Sequence, residues 1–214
     1  MKIKLPLLLC LIFFLGFTEL KAQDYAASIK VSTLGISLEG VRSFGTQLNA
    51  RLGFAFFSYT MNDIASSTDY TASGDLKLLS ISALADWFPF ESAFRLTGGL
   101  FVNLNKASMT LTPLKTYTDG NIKYTPDKLG ILSADIDFNK VAPYLGIGFG
   151  NPTAGEPGLG FTFDLGTFYQ GGPKAKLSAT KLLEPSAKQG PILEENLSWF
   201  KFYPVLSLGL TYKF

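Results

Sequence analysis

The 214-residue chain is 47% hydrophobic and 14% aromatic, holds 21 glycines, and carries a formal net charge of only +2. That charge is too small to point to a nucleic-acid partner, and the length suits one domain. So apolar a chain needs a large core or a membrane. Past Ala22 no apolar run approaches the roughly 20 residues of a spanning helix, so crossing a bilayer would require a closed sheet.

Residues 1–22 have the order of a secretory leader: Lys2 and Lys4, an apolar run from Leu5 to Phe17, and a short polar stretch ending at Ala22. The expected mature domain is 23–214. The only cysteine, Cys10, falls inside the leader, so the mature chain has no disulfide or thiol chemistry. The chain has no histidine, which removes the usual base of lipid-modifying barrels and any zinc-like cluster. A non-enzymatic protein without cofactors is expected.

From Ser28 to Val41 the apolar phase changes, with Ile29 and Val31 on one side and Leu34, Ile36 and Leu38 on the other. A phase change marks a turn or a bulge, and a turn near Thr33-Leu34-Gly35 gives two strands. From Leu48 to Tyr59 the outward phase is Leu48, Ala50, Leu52, Phe54 and Phe56, and Arg51 points inward. Leu79 to Trp87 sets Leu79, Ile81, Ala83, Ala85 and Trp87 against Ser80, Ser82 and Asp86. Phe94 to Asn105 sets Leu96, Leu100 and Val102 against Arg95, Thr97 and Asn103. Val141, Leu145, Ile147 and Phe149 oppose Tyr144, Gly146 and Gly148, and Leu159, Phe161, Phe163 and Leu165 oppose Thr162, Asp164 and Gln170. The last strand, Phe202 to Phe214, has Leu206, Leu208, Leu210, Tyr212 and Phe214 on one phase and Ser207, Gly209, Thr211 and Lys213 on the other.

Segments of about 10 residues with this alternation fit strands crossing a bilayer obliquely. Their connections alternate too, short at 88–93 and 151–158, long and polar at 61–75, 106–139 and 171–201. The expected fold is all-β: an eight-stranded antiparallel up-and-down transmembrane β-barrel with short periplasmic turns and long extracellular loops. Eight strands leave an interior barely wide enough for side chains. The inward charges Glu39, Arg51, Asp86, Arg95 and Asp164 are therefore expected to pair in a lumen network, which is also the candidate path for a solute. Lys140, Lys201 and Lys213 are expected at a solvated rim. Trp87, Phe88, Tyr169, Phe202, Tyr212 and Phe214 are expected as interfacial aromatic girdles. The run Gly146 to Gly150 imitates a phosphate loop, but no helix follows it, and its glycines read as lumen space. Pro143 and Pro204 each remove a ladder donor, which suggests a bulge or barrel corner.

Several motifs in order resemble the CarO-type small outer-membrane proteins: Ala142-Pro143-Tyr144-Leu145-Gly146-Ile147-Gly148-Phe149, then Tyr169-Gln170-Gly171-Gly172-Pro173-Lys174, Glu194-Glu195 and Tyr203-Pro204-Val205, with Trp87-Phe88 beside Pro89. The resemblance implies a monomeric eight-stranded barrel in a Gram-negative outer membrane, in a family linked to uptake of basic amino acids and passage of carbapenems. No substrate residue of the family matches a position here. The end of the chain, with Leu210, Tyr212 and Phe214 at alternate positions, resembles the signal read by the barrel-assembly machinery. The expected function is porin-like passage of small zwitterionic or cationic solutes. The alternative is a closed structural or adhesive barrel acting through its extracellular loops, with outer-membrane lipid as the surrounding partner in both cases.

Overall fold

The computed structural model describes residues 24–66, 69–119 and 122–214. The expected leader, 1–22, lies outside the described residues. The strands in chain order are β1 (Tyr25–Ser32), β2 (Gly35–Ser43), β3 (Leu48–Ser66), β4 (Tyr70–Trp87), β5 (Phe94–Asn103), β6 (Lys106–Pro113), β7 (Tyr117–Asp119), β8 (Ile122–Tyr124), β9 (Leu132–Asp137), β10 (Val141–Phe149), β11 (Gly158–Tyr169), β12 (Lys174–Ala179) and β13 (Phe202–Lys213). Two short helices, α1 (Pro126–Leu129) and α2 (Gly190–Asn196), and a 3₁₀ segment, Lys181–Gln189, lie between them.

Eight strands close a ring in the order β1, β2, β3, β4, β5, β10, β11, β13, every neighbouring pair antiparallel, and β13 returns to β1 with Ala26 facing Lys213. Closure satisfies the backbone of every strand at the depth of the hydrocarbon, where an open edge would be costly. The outward phase is apolar all round and exposed, as at Ile29, Leu52, Ile81, Leu100, Leu145, Phe161 and Leu208. Only lipid suits such a surface.

The phase change near the N-terminus is a turn. Thr33 and Leu34 link β1 to β2, the Leu34 amide donates to Ser32 Oγ at 3.1 Å, and Leu34 is buried. Gly35 adopts φ +98°, and a Cβ there would strike the Phe56 carbonyl. Gly35→Val is therefore expected to cost at least about 1–3 kcal/mol, seen as a lower urea midpoint of the refolded barrel.

The long polar connections are not loops. β3 and β4 run on together past the ring, and β6, β9 and β12 add to them in the order β3, β4, β6, β9, β12. Ser80 faces Asn103 and Lys77 faces Lys106, so β6 carries on the register of β5; Val102 faces Val141 and Lys106 faces Asp137, so β9 carries on that of β10. The barrel wall thus rises above the ring on five strands, while β13, β1 and β2 stop at it. Alternation persists in this wall with its polarity reversed. Above Phe56 and Leu79 the outer face turns polar (Ser58, Thr60, Lys77, Asp75), and the inner face turns apolar (Phe57, Tyr59, Met61, Leu76, Leu78). The reversal marks the upper limit of the lipid, because water replaces hydrocarbon as the outer solvent there.

Three smaller expectations also change. Phe88 is fully buried rather than part of a girdle, since it alternates with outward Trp87, and its amide donates to Gln47 O at 2.9 Å. Lys213 is not a solvated rim residue: it is buried, and its ammonium donates to the Gly155 carbonyl. Pro143 and Pro204 stand in regular register opposite Leu100 and Thr167. Each is tolerated because one neighbouring ladder has already ended beside it: the β10–β11 pairing begins at Tyr144, and the β1–β13 pairing stops at Ser207.

Candidate functional site

The five expected inward charges come together in the lumen, joined by Lys30. Lys30 was legible in the alternation, lying between outward Ile29 and Val31, but the phase change that follows obscured it. Asp164 is the hub: its carboxylate meets Lys30 Nζ at 2.8 Å, Arg95 Nη2 at 2.6 Å and Arg51 Nη2 at 3.3 Å, and accepts from Ser207 Oγ at 3.1 Å. Glu39 binds Lys30 at 2.7 Å and Arg51 Nη1 at 3.1 Å. Asp86 binds Arg51 Nε at 2.8 Å and accepts from Thr97 Oγ1 at 2.6 Å. Three cations and three carboxylates form one network of zero net charge, which is what the cost of burying charge requires. Small inward residues make the room. A Cβ at Gly148 would lie 2.6 Å from Arg95 Nε, and one at Gly53 would lie 3.1 Å from Glu39 Cγ.

Below the charges the turn between β10 and β11 folds under the lumen. Asn151 Oδ1 accepts from Asn49 Nδ2 at 3.1 Å, Thr153 Oγ1 donates to Asn49 Oδ1 at 3.2 Å, and Thr153 is buried. Above them lies an aromatic ceiling. Phe168 stacks between Phe101 (5.0 Å between centroids) and Tyr203 (5.1 Å, 7° between planes), and Tyr144 packs on Phe101 at 5.3 Å. Leu34, Ala55, Leu84, Ala142 and Val205 complete this cluster. The Tyr203 hydroxyl donates to Thr33 O at 2.8 Å and ties the ceiling to the β1–β2 turn. Between charges and ceiling lies a cavity of about 30 Å³ lined by Ser37, Ser80, Ser82, Ser207 and Glu39 among others. That is room for one or two water molecules.

Over the ceiling stands the apolar inner face of the raised wall. The 3₁₀ segment and α2 pack on β12, whose Ala175 amide donates to Glu194 Oε1 at 2.9 Å. The opposite side of the face is uncovered: Phe57 and Tyr59, stacked at 6.4 Å, are 42% and 55% exposed, and Met109 is 41% exposed. Here β3 pairs only with β4, since β2 ends opposite Phe56. The sequence alternation of 57–62 carried this face, but with the sign opposite to that of a lipid-spanning strand.

Trp87, Tyr169, Phe202, Tyr212 and Phe214 all point outward and are exposed near the strand ends. Tyr169 and Phe202 pack at 5.2 Å at the upper end, Tyr212 and Phe214 at 5.4 Å at the lower. Leu210 is also outward and exposed, opposite Ile29.

No family model and no curated protein matches the sequence. Solved structures do. The chain is similar to CarO of Acinetobacter baumannii, with 18% identity over 89% of this chain and 97% of that one and a TM-score of 0.59. It is equally similar in shape to CarO2 of the same organism, with 16% identity, 89% and 98% coverage and a TM-score of 0.59. The chain is a closed β-barrel with the fold of the CarO-type proteins.

Proposed function

We propose that this protein is a closed, non-enzymatic barrel that holds an extracellular sheet at the cell surface and acts through the apolar inner face of that sheet. The filled lumen carries this reading: a floor at Asn49 and Thr153, a neutral network of six charges, five of them buried and Glu39 nearly so, and a stacked ceiling leave a cavity of about 30 Å³ between them. The uncovered Phe57, Tyr59 and Met109 supply what a binding face needs, since a large exposed apolar patch outside the membrane marks an interaction site. The leader pattern of 1–22 supports export through the periplasm of a Gram-negative cell. The Leu210-Tyr212-Phe214 pattern supports insertion by the barrel-assembly machinery, and the closed ring supports a monomer.

The second reading, porin-like passage of zwitterionic or cationic solutes, is favoured by the charged rather than apolar lining of the lumen. Liposome swelling separates the two. Vesicles containing the purified protein are expected to swell no faster in glycine or ornithine than empty vesicles, while a general porin in the same lipid swells them rapidly. Swelling at a porin-like rate would sink the closed reading.

A further inference from the structure

The outer face of the wall changes from apolar to polar within one row of residues. Leu79 and Leu104 are hydrogen-bonded neighbours, Leu104 N to Leu79 O at 2.9 Å, and form the last apolar row on β4 and its partner. The next row up holds Lys77 on β4 and Lys106 on β6, directly opposite each other and both exposed. Two residues along a tilted strand raise them about 5 Å above the hydrocarbon, into the layer of lipid headgroups.

Two lysines in register on neighbouring strands have Cβ atoms about 4.5–5.5 Å apart, so their ammonium groups repel one another. The carboxylates near them do not offset this. Asp137 on β9 faces Lys106 on one side and Lys174 on the other, and Asp75 stands one row above Lys77, where Thr60 Oγ1 donates to it at 2.6 Å. Among the described residues, no ion pair joins Lys77, Lys106 or Lys174 to a carboxylate. A like-charged pair at a fixed depth, facing lipid and held in no ion pair among the described residues, has the form of half a site.

We propose that Lys77 and Lys106 together hold a phosphate of a phosphorylated glycolipid in the outer leaflet. A phosphate presents several acceptor oxygens to two ammonium groups, each of which is a three-donor point charge, and removes their mutual repulsion. The membrane supplies that group at the height where the two lysines stand. The site holds the β3–β4 wall at one depth in the leaflet and so fixes the height of the apolar face above the surface.

The test is binding of a diphosphorylated glycolipid to the detergent-solubilised protein, read by native mass spectrometry. The same lipid with its phosphates removed, and inorganic phosphate at equal concentration, serve as the other arms. The wild type is expected to bind the phosphorylated lipid at least about tenfold more tightly than the dephosphorylated one. Lys77→Gln/Lys106→Gln is expected to lose that preference, while Lys128→Gln/Lys188→Gln, on exposed lysines far along the chain, keeps it. Equal binding of the two lipids by the wild type would overturn the proposal, as would an unchanged preference in Lys77→Gln/Lys106→Gln. Displacement of the lipid by inorganic phosphate would reassign the site to free phosphate and would also overturn it. Should the double variant not fold, the comparison of the two lipids on the wild type still decides the matter.

Discussion

Asp164→Asn is expected to lower the unfolding free energy of the refolded barrel by about 3–5 kcal/mol, measured by urea titration in lipid vesicles. The side chain is held by Lys30, Arg95 and Arg51, so neutralising it leaves three buried cations facing two carboxylates. In a lumen this narrow, water cannot take the place of the missing charge. The loss should therefore exceed that from an exposed pair such as Lys115–Asp69, about 0–1 kcal/mol. Adding Lys30→Met to Asp164→Asn restores neutrality, two cations to two carboxylates, and is expected to recover at least half of the lost stability. A double variant less stable than Asp164→Asn by the full cost of Lys30→Met alone would show the two sites to be independent, contrary to the network.

Phe168→Ala is expected to cost a similar amount, about 3–5 kcal/mol, for a different reason. Phe168 is fully buried, with Phe101 on one face and Tyr203 on the other. Its removal leaves a hole in a ceiling whose backbone is fixed by the ring, so collapse around it is limited. The hole would open toward the small cavity beneath. Urea unfolding checks the loss of stability, and crystals of the variant under xenon check the enlarged apolar space.

The ring itself was legible in the sequence because lipid outside and a polar lumen inside impose one sign of alternation on every spanning strand. Glu39, Arg51, Asp86, Arg95 and Asp164 followed from that sign alone. Lys30 obeyed the same rule, yet was masked by the two-residue turn at Thr33-Leu34, which resets the phase. The raised wall was missed because its strands alternate with the opposite sign: Phe57, Tyr59 and Met61 occupy the inward phase that holds Arg51 and Gly53 lower down the same strand. Read with the lipid rule, such a stretch looks like a polar loop; read with the rule for a sheet with water on its outer side, it is a strand. The pairing that makes it a sheet, β6 with β9 and β9 with β12, links residues far apart in sequence, and no local pattern announces it. Phe88 and Lys213 keep the alternation, each next to an outward aromatic, and depart from expectation because turns at the strand ends cover these inward side chains instead of leaving them to solvent.

The closed lumen is tested most directly by conductance in planar lipid bilayers with the purified, refolded protein. Insertion of wild-type barrels, verified afterwards by recovery of heat-modifiable protein from the membrane, is expected to produce no discrete current steps. Reproducible ohmic steps from the wild type in molar potassium chloride would contradict it, because a permanent ion path cannot coexist with the floor, the paired charges and the ceiling described above.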